Sequence, residues 1–158
     1  NDYQTGDIDY IELAGGIPTF GDISQDTVAV DPEEVIVRNP EVIIHLMGSK
    51  YAGKIGWEVD DVTAMREKRD EIISRPGFAD VDAVKSGRVY AIASNIVKNS
   101  IYPVGICYYA KWFYPEHFED MDPNAIHQEY LSRFLGIDYD LSKHGAFVYH
   151  PEQHPDGR

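Results

Sequence analysis

The sequence is poor in several things that would define a function class. Cys107 is the only cysteine, so no disulfide and no cysteine-rich metal site can form within one chain. Standing alone, it reads as a small buried apolar residue. Basic residues are scarce, 14 Lys and Arg against 27 Asp and Glu, for a net charge of −13. That balance argues against nucleic acid and anionic membrane surfaces as partners, because both need a basic footprint. No apolar run approaches the roughly 18 to 20 residues of a membrane span. No signal peptide opens the chain, and Asn1 reads as an arbitrary start. Also missing are a G-x-S-x-G elbow, a phosphate loop, G-x-G-x-x-G and H-E-x-x-H. There is no internal repeat, low-complexity tract or interior linker.

What is present suits one globular domain: 158 residues, 43% hydrophobic and 12% aromatic. Eleven tyrosines against six phenylalanines point to half-wet surfaces, where a ring packs and its hydroxyl meets water or ligand. Asp7 can cap a short helix that buries Ile8, Ile11 and Leu13 and stops at Gly15-Gly16. The run Val28-Ala29-Val30 reads as a short strand. Asp31-Pro32-Glu33-Glu34 is a helix start, with Asp31 as cap, Pro32 in the first turn and Glu34 closing a capping box. Asn39-Pro40 ends that helix. Val42 to Leu46 is a continuous apolar run of strand length, as expected for a strand covered on both faces.

A helix is predicted over residues 59–74, with Asp60 and Asp61 at its positive end and Pro76-Gly77 as its stop. Glu71 and Arg75 have helix-pair spacing. Val89 to Ile92 is a further strand, and Pro103 to Phe113 reads as a buried helix. Asp122 and Pro123 open a last helix with a stripe of Ile126, Tyr130, Leu131, Phe134 and Leu135, ended by Gly136. Alternating strands and helices imply an α/β fold, a three-layer α/β/α lobe with a mostly parallel sheet. Residues 1–145 form the lobe and residues 146–158 a loosely structured polar tail.

Several segments resemble a known family. Ile11-Glu12-Leu13-Ala14-Gly15-Gly16, Val30-Asp31-Pro32-Glu33-Glu34-Val35 and Asn39-Pro40-Glu41-Val42-Ile43-Ile44 come in the order found in the C-terminal lobe of iron-complex substrate-binding proteins. Ala83-Val84-Lys85-Ser86-Gly87-Arg88-Val89-Tyr90-Ala91-Ile92 and Tyr114-Pro115-Glu116-His117-Phe118 continue that order. These proteins serve ABC importers of siderophores, haem or cobalamin. Glu41 stands where the family usually has aspartate. The resemblance implies a periplasmic-binding-protein-like receptor half without intrinsic cofactor, outside the cytoplasm. In the full-length protein it would be periplasmic or anchored at the cell surface. It also implies an N-terminal lobe in the full-length protein, a metal chelate as transported ligand, and permease subunits as partners. The enzymatic alternative is a chelatase-like protein that inserts metal into a tetrapyrrole. A second alternative is an α/β interaction module without a ligand.

Candidate ligand contacts lie in the loops after the two strands, where open α/β sheets bind ligands. The first loop carries Lys50, Tyr51, Lys54 and Trp57; the second carries Asn95, Lys98, Asn99 and Tyr102. Three lysines in two loops of so acidic a chain suit an anionic chelate, and the aromatics could stack on a macrocycle. Glu33 matches the family position that docks to transporter arginines, although any acid there would also serve the helix dipole. His144, His150 and His154, with Glu152 and Asp156, have metal-binding composition but no rigid spacing, and read as a solvated tail. His45 reads as a hydrogen-bonded core histidine, while His117 and His127 belong to no constellation.

Overall fold

Two apolar runs, Ile43–Met47 (β1) and Val89–Ala93 (β2), lie parallel at the centre of the computed structural model, which describes residues 8–23 and 29–154. Ile43 stands opposite Val89, and Met47 opposite Ala93. Every residue of β2 is buried, as a strand covered on both faces requires. β1 is half-buried until Met47, which is fully enclosed. A third strand, Val148–Tyr149 (β3), pairs antiparallel with the other side of β2, placing Ala91 opposite Tyr149 and Ile92 opposite Val148. Among the described residues the sheet order is β1-β2-β3.

That third strand corrects the expected polar tail. Ala146, Phe147, Val148, Tyr149 and His150 are all buried. The four apolar residues from Ala146 onward find partners in β2 and in Gly56, which bridges Ala146. The histidines follow suit: His150 Nε2 sits 2.9 Å from Gly87 O, and the His154 ring stacks on Tyr149 at 5.5 Å. Asp156 lies outside the described residues.

Helices cover both faces. On one, α1 (Ile8–Leu13) and α5 (Tyr102–Phe113) lie over Tyr90 and Ile92. Tyr90 stacks on Trp112 with 4.3 Å between ring centres. On the other, α2 (Pro32–Arg38) and α3 (Thr63–Ile73) bring Val35, Met65 and Ile72 against Val89, Ala91 and Met47. The short α4 (Asp82–Lys85) leads into β2, and α6 (Pro123–Glu129) packs on α5.

Local signals explain most helix ends. Asp31 Oδ1 accepts from Glu33 N at 2.9 Å, Pro32 occupies the first turn, and Asn39 closes α2 with φ at 46°. Glu34 does not return to the cap as expected; it accepts from Arg38 Nε at 2.9 Å, one turn on. Arg75 Nη2 does reach Glu71, at 3.2 Å. Asp122 Oδ1 accepts from Asn124 N and Ala125 N and starts α6. The helix expected from residue 59 starts only at Thr63, where Asp61 Oδ1 takes the Thr63 N–H at 2.7 Å.

Three further expectations differ. Leu13 is 64% exposed, because Tyr10 and Ile11 take the inward face of α1 and Leu13 lies two residues, about 200°, round the helix. Asp7 and Val28 lie outside the described residues, and Ala29 and Val30 are not in a strand. After Glu129 the last helix widens into a π-helical turn, Tyr130–Phe134, which takes the stripe off the 3.6-residue period. Leu131 stays buried, whereas Phe134 and Leu135 are 71% and 42% exposed.

Candidate functional site

β1 and β2 run parallel and in register, so the chain leaves both at the same edge of the sheet. The loop after β1 opens with a turn of 3₁₀ helix, Ser49–Tyr51, in which Lys50 is exposed. Tyr51 is half-buried and its hydroxyl lies 3.4 Å from His45 Nε2. Burial pushes the His45 imidazole down to about 4, with Lys68 and Arg75 acting in the same direction and Glu71 opposing, so the ring is neutral at pH 7. Lys54 is exposed, and Trp57 is 36% exposed.

The loop after β2 is built differently. It begins as a 3₁₀ turn, Ser94–Ile96, and Ile96 and Val97 are fully buried. α5 packs directly on it: a Cβ at Gly105 would meet Ile96 O and Val97 Cα at 2.8 Å, so only glycine allows this approach. Asn95 is half-buried with its Oδ1 enclosed and unpartnered, and a Cβ at Gly56 would lie 3.3 Å from Asn95 Nδ2. The two loops therefore touch at Gly56 and Asn95. Lys98 is exposed, and Tyr102 is 42% exposed. Tyr102 turns toward Tyr10, with ring centres 6.0 Å apart, while Trp57 turns toward Tyr139 and Phe147. The fold thus brings the first loop to Asn95 and leaves Tyr102 on the α1 side.

The sequence reading missed what surrounds Trp57. Tyr139 Oη donates to Trp57 O at 2.6 Å, and Asp60 accepts from Gly145 N while facing His144 Nδ1 at 3.0 Å. The bond from His144 holds the Asp60 carboxyl below its ordinary range. The apolar run from Ala146 to Tyr149 was the available signal for this segment.

Beside it lies a hollow of about 630 Å³, lined by Asp60, Tyr108, Asp122, His127, His144 and His154 among others. None of the expected ligand residues lines it. His127 is 1% exposed, burial pushes its imidazole down to about 4, and its Nε2 has no hydrogen-bond partner. The ring meets Phe147 edge-on at 5.2 Å. Among the described residues no group of three or more His, Cys, Asp or Glu is arranged to hold a metal. Glu33 is exposed at the second position of α2, two residues after its cap Asp31.

No protein-family model matches the chain, and no curated protein does. Solved structures do. The TroA-like periplasmic binding protein FepB from Veillonella parvula is 27% identical over 90% of this chain and 41% of its own, with a TM-score of 0.72. CeuE from Helicobacter pylori, solved as a nickel–histidine complex, is 20% identical over 84% of this chain and 39% of its own, TM-score 0.62. The molybdate-bound MolA from Haemophilus influenzae, a periplasmic binding protein of an ABC transporter, is 22% identical over 86% and 38%, TM-score 0.59. The chain thus spans about two fifths of the length of each. With its sheet of three strands and flanking helices, the chain is a periplasmic-binding-protein-like fragment with the mixed α/β fold of these structural neighbours.

Proposed function

We propose that this chain is the C-terminal ligand-capturing lobe of the substrate-binding component of an ABC importer, working outside the cytoplasm. The observation that carries the reading is the likeness to FepB over 90% of the chain. The cargo we propose is an anionic metal chelate: an iron–siderophore, haem or a cobalamin-type complex. Lys50, Lys54 and Lys98 are exposed on loops at one edge of the sheet, in a chain of net charge −13. In the first loop Lys50 and Lys54 precede the acids Glu58, Asp60 and Asp61, so its positive charge lies in the half nearer β1. Trp57 offers a ring face on the first loop and Tyr102 one on the α1 side, while Tyr51 carries a hydroxyl in the first loop and Asn95 an amide where the two loops meet. The nickel–histidine and molybdate ligands of CeuE and MolA support a metal-containing cargo.

In this reading the lobe binds and does not catalyse. A second lobe supplies the other wall of the pocket, and the closed protein docks on permease subunits. Glu33 is the docking acid, a carboxylate at a rigid helix start that an arginine can grip with two hydrogen bonds. The test is titration calorimetry of the full-length protein against haemin, a ferric tris-catecholate and cyanocobalamin, with uptake by the reconstituted transporter. Binding of one chelate, with Glu33→Lys blocking uptake but not binding, is the expected result. A protein that binds none of them, or that inserts metal into a porphyrin, overturns the reading.

A further inference from the structure

The segment from Tyr139 to Phe147 grips the loop after β1 from outside the loop's own sequence. Tyr139 Oη donates to Trp57 O at 2.6 Å, across 82 residues of sequence. Gly56 and Ala146 exchange both backbone hydrogen bonds, at 2.8 and 3.1 Å. Asp60 Oδ1 accepts from Gly145 N at 3.1 Å. The indole of Trp57 meets the rings of Tyr139 and Phe147 edge-on, at 5.1 and 4.8 Å. Such aromatic pairs add attraction beyond the area they bury.

Gly145 allows the grip to close. Its φ is +93°, and a Cβ there would lie 2.2 Å from Phe147 Cε2 and 2.9 Å from Tyr139 Oη. A side chain would be both strained and in collision with the two rings that hold Trp57. Trp57 nevertheless keeps 36% of its surface exposed. Its backbone is pinned and two sides of its ring are packed, while the remainder stays open.

We propose that Tyr139 and Gly145 are positioning residues for the ligand loop, fixing the direction in which Trp57 presents its indole. The inference rests on the reading of the loop after β1 as a ligand contact. Its physical basis is preorganisation: a stacking surface already ordered in the free protein costs no ordering entropy on binding. Tyr139 would not touch ligand; it acts through Trp57.

Tyr139→Phe keeps the ring and deletes only the hydroxyl bond. The chain has two tryptophans and Trp112 is 4% exposed; subtracting the acrylamide quenching of a Trp57→Phe variant isolates Trp57 from Trp112 and from any tryptophan outside this chain. In the full-length protein, Tyr139→Phe is expected to raise that quenching about twofold and to speed exchange of the Gly56 amide about fivefold, with little change in Tm. Affinity for whichever chelate of haemin, ferric tris-catecholate and cyanocobalamin binds should fall about three- to tenfold, and Gly145→Ala should exceed both effects. Unchanged quenching and exchange in both variants would overturn the positioning role. So would altered quenching with full affinity in Tyr139→Phe, where Trp57→Ala weakens binding. If quenching and exchange shift but Trp57→Ala leaves binding of every chelate untouched, the ligand-loop reading fails and the positioning role goes with it.

Discussion

The two loops at the open edge of the sheet are held by different physics. The loop after β2 is core: Ile96 and Val97 are fully buried, Ile101 is 7% exposed, and α5 lies against the backbone at Gly105. The loop after β1 is only partly core: Tyr51, Ile55 and Val59 are half-buried, and around Trp57 it is held by a clasp of one tyrosine hydroxyl, one carboxylate, a backbone bridge and an aromatic trio. Burial of apolar surface cannot be undone locally, whereas a few hydrogen bonds can open without unfolding the domain. A binding site made of both would have one fixed wall and one adjustable wall.

The sharpest way to break this comparison is to cut into the fixed wall. Ile96→Ala should cost about 2–5 kcal/mol of global stability through lost burial and a residual cavity. Chemical denaturation measures it, and a loss below about 1 kcal/mol would show that the second loop is no more core than the first.

Acid should weaken the whole domain next. His45 and His127 are held neutral by burial, with protons taken up only near pH 4 in the folded protein. In the unfolded chain the same groups take a proton near pH 6.5. The stability they carry is therefore complete above about pH 6.5 and drains as the pH falls toward 4, by an upper bound of about 3 kcal/mol per imidazole. Denaturant midpoints between pH 7 and pH 4 test this, and the slope should flatten in His127→Phe.

The adjustable wall should respond in the opposite sense, with function lost and fold kept. Trp57→Ala should weaken chelate binding by about 1–3 kcal/mol, as removal of a central aromatic contact does. Calorimetry beside thermal unfolding separates the two effects. A stability loss on the scale of Ile96→Ala would place Trp57 in the core instead.

Asp60→Asn should give the smallest effect. It weakens the bonds to His144 and Gly145, both at the surface, so Gly145 amide exchange should quicken while the global Tm stays put. The wild-type clasp should behave alike in acid. The Asp60 carboxyl lies below its ordinary value, so its contribution is present above pH 4 and is lost as the pH falls through the folded-state value.

Sequence alone determined whatever acts within a turn or two of the chain. Asp31-Pro32 and Asp122-Pro123 start their helices where they were expected. The apolar runs became β1 and β2, and their parallel pairing followed from the helices between them. The exposed lysines and Trp57 were legible as loop residues from the strand ends. The tertiary structure decided the rest, because it depended on partners far along the chain. A two-residue strand such as Val148–Tyr149 cannot hold itself, and it forms only because β2 pairs with it and Gly56 anchors Ala146 just before it. Asp60 looked like a helix-start acid until His144, 84 residues away, became its partner. Leu13 and Phe134 were expected inside and lie outside: Tyr10 and Ile11 take the inward face of α1, and the π-helical turn moves Phe134 off the helical period.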